Sequence, residues 1–401
     1  MKRRAGVIGL FLIVSSIALV AAMTATAQRQ QSQTPPPVEY TVSGPYTHKN
    51  LTIFLLHGSN QSQGRAPLTL QEAMKRKLVV VRETGDVNRL TIQNRSNQDV
   101  FVQAGDIVKG GQQDRVLALD LIIPPRSGKI PIDAFCVEQG RWSRRGDEAV
   151  TAFSASNNAL ASKDLKIAAK AKASQSDVWA NVGKAQEKLA ANLGGGRLVT
   201  PAATPTPGRA GRASGPGSGG GFGRGVAPQG SFSPPMNPPE RIPDVSNPSL
   251  AMVASSASPS SLQLTLENKL VKDTANDYIK NLSSIISGKR DVIGFVFAIN
   301  GQINSADVYS SNALFVKLWP KMLEASAIEA IAELKADEKS QPVEADVVNG
   351  FLRESHAGKA ETKKVTARTS MLKSETEKNL YFETRDPRRN KMWLHRNYLA
   401  K

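Results

Sequence analysis

Residues 291–309 read DVIGFVFAINGQINSADVY. Asp291 to Ile299 is almost wholly apolar and rich in Val, Ile and Phe, the composition of a central strand buried on both faces. Asn300-Gly301 follows, a dipeptide that accepts the positive φ angles of a tight hairpin. Ile303 to Tyr309 is then the returning arm. Beyond it, Asp307, Ser310, Ser311 and Asn312 are candidates to cap a helix starting at Ala313. Trp319-Pro320 is expected to interrupt that helix, with Trp319 in the core and a second, Ala- and Glu-rich helix over Lys321 to Lys335.

Working outward, residues 266–286 carry Leu270, Ala275, Tyr278, Leu282, Ile285 and Ile286 mostly at helical spacing. Toward the C-terminus, Glu361 to Thr366, Leu380 to Thr384 and Trp393 to Tyr398 read as strands, and the alternation over Lys378 to Glu383 suits an edge hairpin. Upstream, the composition changes in kind. Residues 201–260 hold 12 Pro and 10 Gly, so the stretch 194–260 has too little apolar surface to offset ordering and is expected to be disordered.

The first half is β-rich. Leu51 to Leu56, Leu78 to Val81, Val87 to Gln93, Val100 to Gln103, Ile107-Val108, Val116 to Ile123 and Ile130 to Glu138 are strand candidates, punctuated by Gly, Pro and Asn. That rhythm points to a sandwich or barrel-like core. Thr69 with Glu72 three residues on has capping-box spacing for a short helix. Ser162 to Ala173 and Ser176 to Ala191 favour helix, the second with an apolar stripe of Val178, Val182, Ala185 and Leu189. The expected fold class is therefore α+β: a β-rich sandwich or barrel-like core with flanking helices, interrupted by the Pro/Gly-rich loop.

The first residues have the form of an export signal. Lys2, Arg3 and Arg4 precede an apolar run from Val7 to Val20, and Ala25-Thr26-Ala27 is an A-x-A cleavage site. The expectation is a signal peptide over 1–27, a flexible spacer over 28–39, and one α+β domain over 40–401 in the periplasm or secreted. No second apolar span follows, so no transmembrane segment is expected after signal removal. The formal net charge is +17, of which the leader supplies three. Such a charge favours anionic surfaces, and export argues against nucleic acid as the partner. Cys136 is the sole cysteine, excludes an internal disulfide, and is expected to pack as a small apolar group. His48, His57, His356 and His395 share no metal-ligand spacing, so neither metal nor cofactor is expected. His57-Gly58-Ser59 sits at a strand end, where it either presents a base and a hydroxyl or is a polar turn, and it lacks the nucleophile-elbow pattern.

Two stretches carry candidate site residues. In Gln103 to Arg115, glycines permit close backbone approach while Asp106, Lys109, Asp114 and Arg115 offer charges and hydrogen bonds. This is either a ligand-binding rim or a pair of tight turns stapled by an Asp–Arg ion pair. In Glu138 to Ser143, Glu138, Arg141 and Trp142 form a sugar- or peptide-binding edge, or else Trp142 plugs the open end of the β core. Glu138 with Asp133 is a possible acid/base pair whose separation decides the matter.

Val102 to Arg115, Glu138 to Trp142, Asn157 to Lys170 and Gly294 to Pro320 resemble the ARG and rhodanese-phosphatase superfamily associated protein domain, an uncharacterised bacterial family. The motifs are Ala-Gly-Asp, Gly-Gly-x-x-Asp-Arg, Glu-Gln-Gly-Arg-Trp, and Asn-Gly with Asp-Val-Tyr-Ser-Ser, and the likeness spans roughly 40–193 and 262–400. It implies one domain interrupted by the Pro/Gly stretch, and it carries over no activity and no catalytic residue. The expected role is a cell-envelope binding or structural module for a polar or anionic polymer, such as an acidic glycan, or for an envelope protein. The alternative is a hydrolase of an envelope polymer using Glu138 or Asp133.

Overall fold

The computed structural model describes residues 40–62, 64–194, 248–335 and 342–401. The leader and spacer expected over 1–39, and residues 195–247 of the Pro/Gly stretch, lie outside the described residues. The hairpin forms as its sequence predicts. Val292–Ile299 is buried throughout and pairs antiparallel with Gln302–Tyr309 across Asn300 and Gly301, both at positive φ. Only a residue tolerant of the left-handed region closes so tight a turn.

This hairpin is the centre of an eight-stranded sheet. Its order is Thr41–His48, Leu51–His57, Val292–Ile299, Gln302–Tyr309, Met392–Ala400, Asn379–Asp386, Ser370–Glu375, Lys359–Lys364. Leu51–His57 thus lies beside Val292–Ile299, so chain from either side of residues 195–247 shares one sheet. One face presents Ile53, Leu55, Phe295, Phe297 and Tyr309 to the helices Gln175–Gly194, Lys269–Leu282 and Asn312–Ala332. The other presents Phe54, Leu56, Val296, Val308 and Tyr398 to Val348, Phe351 and Leu352 of Ala345–Glu354. Each such fully buried apolar side chain contributes about 1.5–3 kcal/mol.

The first half supplies a second sheet, in the order Phe153–Leu160, Asp106–Gly110, Arg115–Leu117, Ile130–Cys136, Arg89–Asn94, Val79–Glu83. Its two ends meet at an Arg82–Ala152 bridge, which nearly closes it into an antiparallel barrel. Alternation does the sorting. Val108, Leu117 and Ala134 point into the barrel core, while their neighbours Ile107, Val116 and Phe135 join the core shared with the large sheet. A small sheet of Leu68–Thr69, Val100–Val102 and Leu121–Ile123 packs on the barrel, and Thr69 and Glu72 make the expected capping box.

Several elements differ from expectation. The helix Asn312–Ala332 runs unbroken through Pro320. Proline costs a helix interior about 3 kcal/mol, but here Leu318, Trp319, Met322 and Leu323 are all buried around it and hold the turn. Ser311 is its cap, whereas Asp307 points elsewhere. Asn379–Asp386 is an interior strand; Lys359–Lys364, with four lysine or glutamate side chains turned outward, is the edge. Part of the stretch 194–260, expected to be disordered, is ordered: Pro248–Val253 is helical, with Leu250 and Val253 in the main core. Cys136 is buried as expected.

Candidate functional site

The strand Ile130–Cys136 continues to Glu138, where the two candidate stretches meet. Val137 N–H donates to the Asp114 carbonyl at 3.0 Å, and Asp114 N–H donates to Glu138 Oε2 at 3.0 Å. Both carboxylates have no exposed surface, so each needs full compensation. Arg141 supplies it to Glu138 through a two-pronged contact, Nε to Oε1 at 2.6 Å and Nη2 to Oε2 at 2.7 Å. Arg145 ties the two acids together. Its Nη1 donates to Asp114 Oδ2 at 2.9 Å and Glu138 Oε1 at 3.0 Å; its Nη2 donates to Asp114 Oδ1 at 2.9 Å and Glu148 Oε1 at 3.0 Å. The Ser261 hydroxyl completes the set, donating to Asp114 Oδ2 at 2.7 Å while accepting Leu264 N–H as a helix cap.

Burial alone would raise the Glu138 pKa, but the hydrogen bonds from Arg141 and the Asp114 N–H hold it below the ordinary glutamate value. Burial would likewise lower Arg145, yet its hydrogen bonds to Asp114 and the nearby carboxylates raise it. The network is a buried clamp of ion pairs and hydrogen bonds. What it clamps is the loop 139–146: Arg141 also donates to the carbonyls of Ser143 and Gly111, and Ser260 Oγ donates to the Gln139 carbonyl at 2.5 Å.

The structure brings Asp114, Glu138 and Arg141 together, with Lys109 at the margin bonded to Glu267 at 2.5 Å. It separates the rest. Asp106 lies in a different cluster, against Lys321 at 2.5 Å. Arg115 is buried and donates to the Gln113 carbonyl, with Glu83 at 3.6 Å. The expected Asp–Arg staple therefore joins Asp114 to Arg145, not to its neighbour Arg115, whose side chain leaves the strand on the opposite face. Trp142 plugs nothing: it is 38% exposed. Asp133 is exposed on its strand, five residues from buried Glu138.

Arg145 escaped the sequence reading, since Arg144-Arg145 looks like surface charge; only its spacing from Glu138 and Glu148 hinted at a shared partner. Its neighbour Arg144 is in fact exposed. Above the clamp, Gln139 to Arg141 and Ser143 to Gly146 face Ala257 to Ser260 across an open groove of about 520 Å³. A second concavity of about 480 Å³ has an apolar floor of Phe101, Ile122 and Leu394 and a rim of Arg65, Asp99, Asp386 and Arg389. Three of its rim charges are tied together, with Arg389 on Asp99 at 2.8 Å and Arg368 across Asp99 and Asp386.

Residues 39–399 match the ARG and Rhodanese-Phosphatase-superfamily-associated Protein domain. The chain belongs to this family. No curated protein and no solved structure matches it. Two of the stretches that carried the resemblance, Gly110 to Arg115 and Glu138 to Trp142, are the halves of the clamp. Among the described residues, no helix is long and apolar enough to cross a membrane, and no cluster of His, Cys, Asp and Glu could hold a metal ion.

Proposed function

We propose that the chain is an exported, non-catalytic binding module that takes an acidic glycan along the groove between residues 139–146 and 257–260. One observation carries this reading: Trp142 stands 38% exposed on a loop whose base is pinned by fully buried Asp114 and Glu138. A large aromatic held out on a rigid support loses little freedom on binding and offers a stacking face. The groove is lined by Gln139, Ser143, Ser258, Ser260 and glycine backbone, a surface suited to hydroxyl-rich chains. Arg141 and Arg145 are bound to buried carboxylates, whereas Arg144 is exposed and shares only a solvent-exposed contact with Asp147 at 3.6 Å, so it is the cation a ligand can reach. The formal charge of +17, less the three that the leader carries, adds long-range attraction. Glu138 supports the non-catalytic side of the reading, because Arg141, Arg145 and a backbone N–H already occupy both of its oxygens.

The test is fluorescence anisotropy with a labelled polygalacturonate oligomer and a neutral dextran oligomer of equal length. Saturable, salt-sensitive binding of the first alone is expected. Trp142→Ala should weaken it about thirtyfold, or about 2 kcal/mol, the size of an anchor truncation. Equal binding of both oligomers, or none, rejects the reading.

A further inference from the structure

A second charged cluster lies in the seam where the barrel, the large sheet and the helices meet. Asp106, Asp120, Lys166, Lys170, Asp307, Lys321 and His395 are all buried there. The opposite charges are not evenly matched in geometry. Lys321 has Asp106. Lys170 Nζ makes no hydrogen bond; it lies over the Phe382 ring at 4.4 Å and 3.5 Å from Asp120 Oδ2, with both side chains 1% exposed. Lys170 is presented by a π-helical turn, Ile167–Lys172, a local departure from α geometry that recurs at functional positions.

Hydrogen-bond donors surround both oxygens of Asp120. Ala104 N–H donates to Oδ1 at 2.7 Å, in the place of an oxyanion donor. Thr384 Oγ1 donates to Oδ2 at 2.7 Å, and His395 Nδ1 lies 2.9 Å from the same oxygen. The other ring nitrogen of His395 is 3.0 Å from Asp307 Oδ1, which Asn397 also holds at 3.0 Å. An amine, a polarised carboxyl and an imidazole oriented by a second carboxylate are thus assembled in order. Neither Lys170 nor Asp120 lines any of the described concavities, and the one beside Lys166 and Asp307 measures about 10 Å³, room for about one water. The reacting partners available to Lys170 and Asp120 are each other.

We propose that Lys170 and Asp120 form an intramolecular isopeptide bond, with His395 as the proton donor and Asp307 as the residue that positions it. The neutral Lys170 amine attacks Asp120 Cγ, and Ala104 N–H holds the developing charge on Oδ1. The Cγ–Oδ2 bond breaks as the C–N bond forms. Oδ2 leaves as water, taking one proton from the amine and one from His395 Nδ1. The products are an amide, one water and a neutral imidazole, so the step is balanced in charge and needs no oxidant or other co-reactant.

The protonation states agree with this order. Burial lowers the Lys170 pKa despite the pull of Asp120 and Asp307, which favours the free amine. Burial opposes the charge on His395 too, but Asp120 and Asp307 outweigh it and raise the ring above the ordinary imidazole value, which favours the imidazolium. Asp120 is driven the other way: burial would raise it, but Lys170 while it still carries its proton, and then His395 and the Ala104 N–H, lower it, so the carboxylate needs the imidazolium proton to release an oxygen.

Mass spectrometry of the full chain as purified decides the matter. The intact wild type should be lighter by one water than its sequence requires, and a protease digest should contain one branched peptide joining the segments of Lys170 and Asp120. Lys170→Arg and Asp120→Asn variants are read the same way, and the former should restore the full mass. His395→Gln should leave a mixture that converts slowly, which a merely structural histidine would not produce. Wild-type protein at full mass, with the two peptides recovered separately, overturns the proposal without reference to any variant.

Discussion

Replacing Arg145 by alanine measures how much the clamp contributes. The change removes four hydrogen bonds between 2.9 and 3.0 Å and one buried positive charge. Glu138 keeps its contact with Arg141, but Asp114 keeps only the Gly110 N–H, the Ser261 hydroxyl and Arg141 at 3.8 Å. Asp114 has no exposed surface through which water could compensate. Breaking a buried pair in this way costs about 3–5 kcal/mol, a large share of the ~5–15 kcal/mol that holds a typical domain. Arg144→Ala is the built-in control: its partner Asp147 is fully exposed at 3.6 Å, and such pairs contribute at most about 1 kcal/mol. Urea unfolding of the two variants, followed by circular dichroism, should separate them by at least about 2 kcal/mol. An Arg145→Ala,Asp114→Asn double variant should recover part of the loss, since the unpaired charge is gone. If Arg145→Ala behaves like Arg144→Ala, the loop is not held by this network and the argument for a rigid Trp142 fails with it.

Three further outcomes follow from the same geometry. His356 is pushed down to about 4, first by burial and then by the charge of Arg396. Its unfolded form takes up a proton near 6.5, so the stability it contributes is present above that pH and is lost as pH falls toward 4, by up to about 3 kcal/mol. His356→Phe should flatten the stability profile over that window, and parallel profiles for the two proteins would contradict the assignment. Gly294 sits in the central strand where a Cβ would meet the Asp307 carbonyl at 2.6 Å and Val308 Cα at 2.8 Å. Gly294→Ala should therefore lower stability by about 1–3 kcal/mol or more in thermal unfolding, and a change under about 0.5 kcal/mol would show the strands can part. Burial pushes the Cys136 thiol up to about 11, so a disulfide reagent at pH 8 should leave the folded chain unlabelled and label it fully in urea; prompt labelling without denaturant would refute this burial.

The parts of the fold that were readable are those in which local chemistry and tertiary packing agree. Val292–Ile299 is apolar on both faces because it is buried on both, and Asn300-Gly301 is the one kind of turn that closes it. Pro320 misled because the rule it breaks is local and the burial that overrides it is not. Asn379–Asp386 looked like an edge because its polar residues alternate; Glu383 and Asp386 are in fact buried on Arg396 and Arg368, an arrangement invisible without the neighbouring strands. The site divides on the same line. Asp114, Glu138 and Arg141 are near in sequence and meet in space, whereas Arg145 could not be told from Arg144 until the structure buried one and exposed the other. The seam cluster unites Asp120, Lys170, Asp307 and His395 from four distant segments, each unremarkable alone.

The central claim is that the clamped loop is a ligand-binding surface, and hydrogen–deuterium exchange with and without the polygalacturonate oligomer tests it most directly. The account predicts slowed exchange at residues 139–146, the loop that carries Trp142, and at 257–260, the opposite wall of the groove. Slowed exchange instead at Asn97 to Phe101 and Arg389 to Leu394, around the second concavity, or no change anywhere at saturating oligomer, would contradict it.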